Sequence, residues 1–310
     1  MTDAAGDLAF PLRGLRPAAT FFGAPVADVE DVAPGTIAAA GVYCDHFSAG
    51  QPGGRFGARQ FRYVSTAADL PVPTGLVDLG DFNVFPLEPQ RTCEILSDQS
   101  QRIAATGAAL FAFGGDFSVT PALLRGIVRA IGPLAVLRIS SRLDLQSAAT
   151  GTAGAPWRRS ATRELAEILP NRLSAIALLG ARGTLPAEEQ AAASEAVVVP
   201  ATELAAAPEH AVRKTCDALQ RVAARFYLSV DVDVLAPRFG ARALPTAAGG
   251  LSVVQLLDVL AALDGMPFAG AELTGHVPDL GVAGRAMTSQ LACVAAKMLD
   301  CLAEQAQQCP

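Results

Sequence analysis

Histidine is scarce in this chain. His46, His210 and His276 are the only three in 310 residues, which leaves few imidazoles for metal or acid–base chemistry. Cysteine occurs six times but never as a C-x-x-C pair; the six read as reduced, buried small hydrophobes rather than a disulfide framework. An excess of basic charge is missing too. With 24 Lys+Arg against 30 Asp+Glu the net charge is −6, a poor footprint for nucleic acid. No apolar run is long enough to span a bilayer, since the longest, at 103–113 and 251–263, are short or interrupted. The opening MTDAAGDLAF holds two aspartates and no basic region. It does not read as a secretory signal, and a cytoplasmic protein is expected. Apolar bulk is what abounds. The chain is 51% hydrophobic and 17% charged, with a mean hydropathy of +0.33 owed largely to alanine. That excludes a disordered chain and predicts a tightly packed one.

No Ser/Gly linker, charge block or internal repeat divides the sequence. One domain over 1–310 is expected, with residues 1–35 as an amino-terminal extension packing on it. Short apolar runs alternate with helical stretches, which is the pattern of an α/β domain. Strands are predicted at 36–43, 74–79, 108–114, 134–139, 175–179, 196–199, 225–230 and 270–273. Several lack polar alternation, as parallel strands covered on both faces do. Helices are predicted at 55–64, 90–106, 120–131, 162–169, 209–225, 253–263 and 288–308, with Ser252 as an N-cap. The Pro- and Gly-rich pieces at 51–55, 150–156 and 237–250 read as loops at strand ends, where open α/β sheets build their sites.

Four segments place polar residues just after an apolar strand: Phe111-Ala-Phe-Gly-Gly-Asp-Phe-Ser-Val-Thr120, Leu137-Arg-Ile-Ser-Ser-Arg-Leu-Asp144, Leu228-Ser-Val-Asp-Val-Asp-Val-Leu-Ala-Pro237 and Gly270-Ala-Glu-Leu-Thr-Gly-His-Val-Pro-Asp279. Asp231 and Asp233 are two apart and share a face if their strand continues. Two carboxylates so placed are costly unless a cation or a proton sits between them.

In this order the four segments resemble the ureohydrolase family, which comprises arginase, agmatinase and their relatives. Its pattern is Gly-Gly-Asp-His-Ser, then Asp-Ala-His-x-Asp, then Ser-x-Asp-x-Asp-x-x-Asp-Pro, then a Glu near a final strand. Gly41-Val-Tyr-Cys-Asp45, the stretch 52–62, Gly249-Gly-Leu-Ser252 and the Gly-x-Arg-Gly ending of 176–183 are similar to further family segments. The resemblance implies a three-layer, doubly wound α/β fold with a mostly parallel sheet of about eight strands. It also implies six side chains holding two manganese ions. Here the sequence departs. Phe117, Ser140 and Arg142 stand at three ligand positions, and Asp144, Asp231 and Asp233 remain at the other three. The family's His-Gly-x-Pro appears as Ala153-Gly-Ala-Pro156, while the acid that meets the substrate guanidinium is retained as Glu272.

Manganese takes about five or six ligands, and a guanidinium does not deprotonate. No metal or other cofactor is therefore expected, although the resemblance implies manganese. The expected role is a non-hydrolytic pseudoenzyme acting as a regulatory or assembly subunit, or as a binder of a small guanidino or amino ligand. The alternative is an amidinohydrolase-type or repurposed enzyme with an altered or absent metal centre. Catalytic candidates are Asp144, Asp231, Asp233, Glu272 and His46; ligand-binding candidates are Glu272, Arg142 and Trp157. Glu272 reads equally as a guanidinium acceptor or as a plain acid at a strand end. Asp116 is expected to cap the helix near Ser118, Phe117 to fill the core, and His276 to be a solvated loop histidine. Arg142 is expected to stand in for the missing metals. A homo-oligomer (trimer or hexamer), or a hetero-oligomer with an active relative, is expected, with neither nucleic acid nor membrane as partner.

Overall fold

The computed structural model describes residues 19–45, 53–146, 156–169, 171–183, 187–237, 249–278 and 281–306. Eight strands form one sheet: β1 (Ile37–Gly41), β2 (Leu76–Asp81), β3 (Ala109–Phe113), β4 (Ala135–Ile139), β5 (Ile176–Ala181), β6 (Val197–Pro200), β7 (Phe226–Asp231) and β8 (Phe268–Thr274). Their order is β2-β1-β3-β8-β7-β4-β5-β6, and every pairing is parallel. All eight predicted strands are present. β1, β4 and β7 are buried at every residue, which is why their sequences show no alternation.

The helices are α1 (Gly57–Ala67), α2 (Pro89–Ala105), α3 (Thr120–Ile131), α4 (Pro156–Ile168), α5 (Ala187–Ala193), α6 (Ala201–Ala206), α7 (Pro208–Gln220), α8 (Val253–Ala261) and α9 (Val282–Ala306). α2 packs on α3 and α3 on α4, covering one face; α1, α9, α8 and α7 follow one another over the other. Contact between α2 and α3 is close because Gly126 has no side chain. A Cβ there would lie 2.0 Å from the Ser97 carbonyl oxygen. Ser252 caps α8 in a reciprocal box, accepting from Gln255 N at 3.1 Å while Gln255 Oε1 accepts from Ser252 N at 2.8 Å. α5 and α6 go beyond the sequence-based expectation, being too short to show a periodic apolar face. α4 starts six residues earlier than expected, with Pro156 in its first turn, where proline is tolerated.

Residues ahead of β1 fasten onto the sheet's rim. Ala27 N donates to Asp78 O at 3.1 Å and Asp78 N to Pro25 O at 2.9 Å, so this segment pairs with the outer side of β2. The Asp78 carboxylate accepts from Phe21 N at 2.9 Å and from both Nε (2.8 Å) and Nη2 (2.9 Å) of Arg62. Among the described residues, no helix is long and apolar enough to cross a membrane.

Candidate functional site

β3, β8, β7 and β4 are neighbours at the centre of the sheet, and their carboxyl ends carry the four motif segments. Register sets the first row of the site. Arg138 pairs with Ser229, Ser229 with Glu272 and Glu272 with Ala112, so Arg138, Ser229 and Glu272 point to the same face in one line across three strands. That face is covered by α3 and α4. Glu272 is fully buried; its Oε1 accepts from Ser229 Oγ and from Thr120 Oγ1, both at 2.6 Å. Burial pushes the Glu272 carboxyl up to about 7, against the pull of those hydroxyls and of the Arg138 charge.

One step nearer the strand ends lie the aspartates. Asp231 ends β7, where its carboxylate accepts from Asp233 N at 3.0 Å and caps a short 3-10 turn. Gly275, opposite, leaves it room: a Cβ there would lie 2.3 Å from Asp231 Oδ1. Burial, and next the Asp233 charge, push Asp231 up to about 7, with Arg142 opposing. Asp233 is held by the turn after β4, accepting from Ser140 Oγ (3.1 Å), Ser141 N (2.9 Å) and Ser141 Oγ (2.7 Å). The loop bearing Asp233 is clamped by Arg182, which donates to the carbonyls of Val234 at 2.9 Å and Asp233 at 2.8 Å.

Arg142 sits between two of the acids. Its Nε lies 3.4 Å from Asp144 Oδ1 and 3.6 Å from Asp233 Oδ2, with the side chain 20% exposed. Burial alone would lower its pKa, but Asp144, Asp233 and Asp231 outweigh that and raise it. The stronger partner of Asp144 is Arg138, whose Nη2 donates to Asp144 Oδ2 at 2.6 Å with both side chains buried. Nη1 of Arg138 also donates to Arg142 O (2.9 Å), Leu143 O (3.1 Å) and Thr162 Oγ1 (3.0 Å). Its guanidinium carbon lies 3.5 Å from the Phe117 ring centre.

Asp144, Asp231, Asp233, Glu272, Ser140, Arg142 and Phe117 are thus gathered at the carboxyl ends of adjoining strands. Phe117 is a buried aromatic and Asp116 caps the turn at Ser118, accepting from Ser118 N at 3.1 Å. His46 and the side chain of Trp157 lie outside the described residues. His276 is not solvated. It is 3% exposed, with Nε2 3.2 Å from Thr288 Oγ1 and 3.4 Å from Gln60 Oε1, and burial lowers its pKa to about 4. α1 and α9 close over it, a tertiary contact that local sequence does not reveal. Sequence reasoning also passes over Arg138 as a site residue. Its signal is a charge inside the apolar run Ala135-Val-Leu-Arg-Ile139, which must find a partner when buried. A groove of about 870 Å³ between α7 and α8 is lined by His210, Arg213, Cys216, Asp258 and Met266 among others; none of the site carboxylates lines it. Among the described residues, no group of three or more His, Cys, Asp or Glu side chains is arranged to hold a metal ion.

Known proteins share this frame. Agmatinase, mitochondrial, of Gallus gallus is 27% identical over 292 residues, covering 86% of this chain and 84% of its own. Proclavaminate amidinohydrolase of Streptomyces clavuligerus is 30% identical over 227 residues, 68% of this chain and 70% of its own. A solved structure of the amidinohydrolase from that organism matches with a TM-score of 0.77 over 94% of this chain and 98% of that one, at 23% identity. The sequence profile of the Arginase family matches residues 36–301. With the eight-stranded parallel sheet and the four motif segments in family order, the chain belongs to the arginase family.

Proposed function

We propose that this chain is a non-hydrolytic member of the arginase family, free of divalent metal, that serves as a regulatory or assembly subunit in the cytoplasm. The observation that carries the reading is the Arg142 guanidinium lying within 3.6 Å of both Asp144 and Asp233. A fixed positive charge there supplies the neutralisation a cation would otherwise provide. The remaining donor set does not suit a divalent ion. Asp144 is committed to Arg138 at 2.6 Å, Asp233 accepts three hydrogen bonds from Ser140 and Ser141, and Phe117 offers no donor atom. Metal affinity grows with the number of available charged ligands, and two of the three retained carboxylates are already engaged. Without a metal to lower the pKa of water, the cluster has no evident source of hydroxide at neutral pH.

A small guanidino or amino ligand is the second role within this reading. Glu272 already meets two internal hydroxyls and faces an internal guanidinium in its own row, so the assembly role is favoured over the ligand role. One observation favours catalysis instead. Asp231 and Glu272 both titrate near 7, a range suited to proton transfer, and the relatives carry the names agmatinase and amidinohydrolase. On that second reading the chain is an amidinohydrolase-type or repurposed enzyme acting on a guanidino or related C–N compound.

The test is metal analysis of protein purified without chelator, followed by urea assays with agmatine and arginine in excess manganese. Negligible metal and no urea are expected; stoichiometric metal or sustained urea formation overturns the proposal in favour of the enzyme. Light scattering adds the assembly arm. A trimer, a hexamer or a complex with an active relative is expected, and a strict monomer that captures no relative contradicts the subunit role.

A further inference from the structure

We propose that Phe117 and Arg138 act as one unit that withholds Asp144 from metal, so that restoring the three replaced ligand positions does not restore metal binding while Arg138 remains. This rests on the metal-free reading above and goes further. It places the principal block at a strand residue outside the ligand set, beneath the position of Arg142.

The argument is geometric. Arg138 is 0% exposed and Phe117 1%, and the guanidinium lies against the ring face at 3.5 Å. A desolvated cation is held well by an aromatic face, and a planar guanidinium can stack there while its edge donates elsewhere. That edge grips the turn after β4 at three points, the carbonyls of Arg142 and Leu143 and the Asp144 carboxylate, and ties it to α4 through the Thr162 hydroxyl. Asp144 itself has φ of +51°, a left-handed conformation that side chains other than glycine adopt at a cost. The grip on the two preceding carbonyls accounts for that conformation, and Thr162 N secures it further by donating to Asp144 O at 3.2 Å. The aspartate retained at a ligand position is therefore turned onto a buried arginine by the same contacts that shape its backbone. Phe117 completes the unit. A histidine at 117 would replace the phenyl face on which Arg138 rests, yet the Arg138 bonds to Asp144 and to the carbonyls before it would remain.

Two variants distinguish this unit from a block by Arg142 alone. The first restores the replaced positions, Phe117→His with Ser140→Asp and Arg142→His; the second adds Arg138→Leu. Each is titrated with Mn²⁺ alone by calorimetry, with circular dichroism as the control for folding. The triple variant is expected to show no more Mn²⁺ binding than the parent, that is no saturable heat, and the quadruple to bind Mn²⁺ saturably. Equal affinity of the two, or stoichiometric binding by the triple, overturns the unit. Should the quadruple variant not fold, melting temperatures of Phe117→Leu, Arg138→Lys and their double decide. A double that loses clearly less than the sum supports the unit, and strict additivity overturns it. Failure here is distinguishable from failure of the functional reading, because manganese or urea found with the unaltered chain sinks that reading whatever the ratio between variants.

Discussion

Glu272 and Ser229 stand at the same register on neighbouring parallel strands, and the Ser229 hydroxyl donates to the Glu272 carboxylate across 2.6 Å. The pair puts an ionisable group in the middle of the sheet, where desolvation decides its titration more than any neighbour does. Its folded pKa of about 7 lies above the ordinary value of 4.5.

The sign for stability follows from that. A carboxyl whose folded pKa is raised binds its proton more tightly when folded, so stability is greatest below 4.5 and declines as pH rises towards 7. Every tenfold gain in proton affinity on folding corresponds to about 1.4 kcal/mol. Glu272→Gln, which keeps an acceptor for Ser229 and Thr120, is expected to be more stable than the parent at pH 8 by a few kcal/mol on this scale, and level with it at pH 4.5. Urea denaturation at the two pH values reads this directly; a constant difference between them contradicts it.

Arg138 is the more demanding position of the two arginines. Removing one member of a buried pair leaves a charge without compensation, at a cost of roughly 3–5 kcal/mol. Arg138→Leu is expected to fall in that range at pH 8, and Arg138→Lys to recover only part, because an ammonium cannot reproduce the fork that meets Asp144, Thr162 and two carbonyls at once. Denaturation midpoints of the two variants provide the check.

Arg142→Ala should cost less. Its approaches to Asp144 and Asp233 are 3.4 and 3.6 Å and its side chain is partly exposed, so a loss of about 1.5–3 kcal/mol at pH 8 is expected. The loss should shrink towards pH 5, where Asp231, released from the opposing arginine charge, takes up its proton more readily. Equal losses for Arg142→Ala and Arg138→Leu would contradict this ranking.

His276 acts in the opposite direction. Its pKa falls from 6.5 to about 4 through burial, so its contribution is complete above 6.5 and is lost as pH falls towards 4. His276→Gln should therefore gain on the parent as pH is lowered from 6.5 to 4.5, by about 1.4 kcal/mol for each step of one in pH. Parallel thermal melts across that window would show the two curves converging or crossing; a fixed offset would mean that the imidazole is solvated after all.

The strands and the family are legible because they depend on local features. Unbroken apolar runs such as that of β1 mark strands buried on both faces, and the motif residues at 231 and 233 lie at and just past the end of the largely apolar β7. The convergence of Asp144, Asp231, Asp233 and Glu272 follows from the rule that sites gather at carboxyl ends of parallel strands. What stays illegible depends on pairing across the sheet. That Arg138 lies level with Ser229 and Glu272 requires the strand order, and so does its distance from Phe117 on a different segment. Sequence alone favours Arg142 as the sole surrogate because it occupies a motif position; the arginine inside the strand reads as core until the fold brings Asp144 to it. His276 misleads for the same reason. A histidine between Gly275 and Val277 looks like loop, and only the meeting of Gln60 with Thr288 makes it interior.

The paired segment along β2 has a consequence for association between molecules. A strand at the rim of a sheet offers N–H and C=O groups to any extended chain that comes near. At Asp78 both groups are already taken by Ala27 and Pro25, and the Asp78 carboxylate ties Phe21 and Arg62 to the same spot. Residues 21–27 therefore work as a hem sewn over a raw selvage. Cutting the chain after residue 27 would leave β2 with that margin bare, and the shortened protein should accumulate side-by-side aggregates while its distant carboxylate cluster stayed intact.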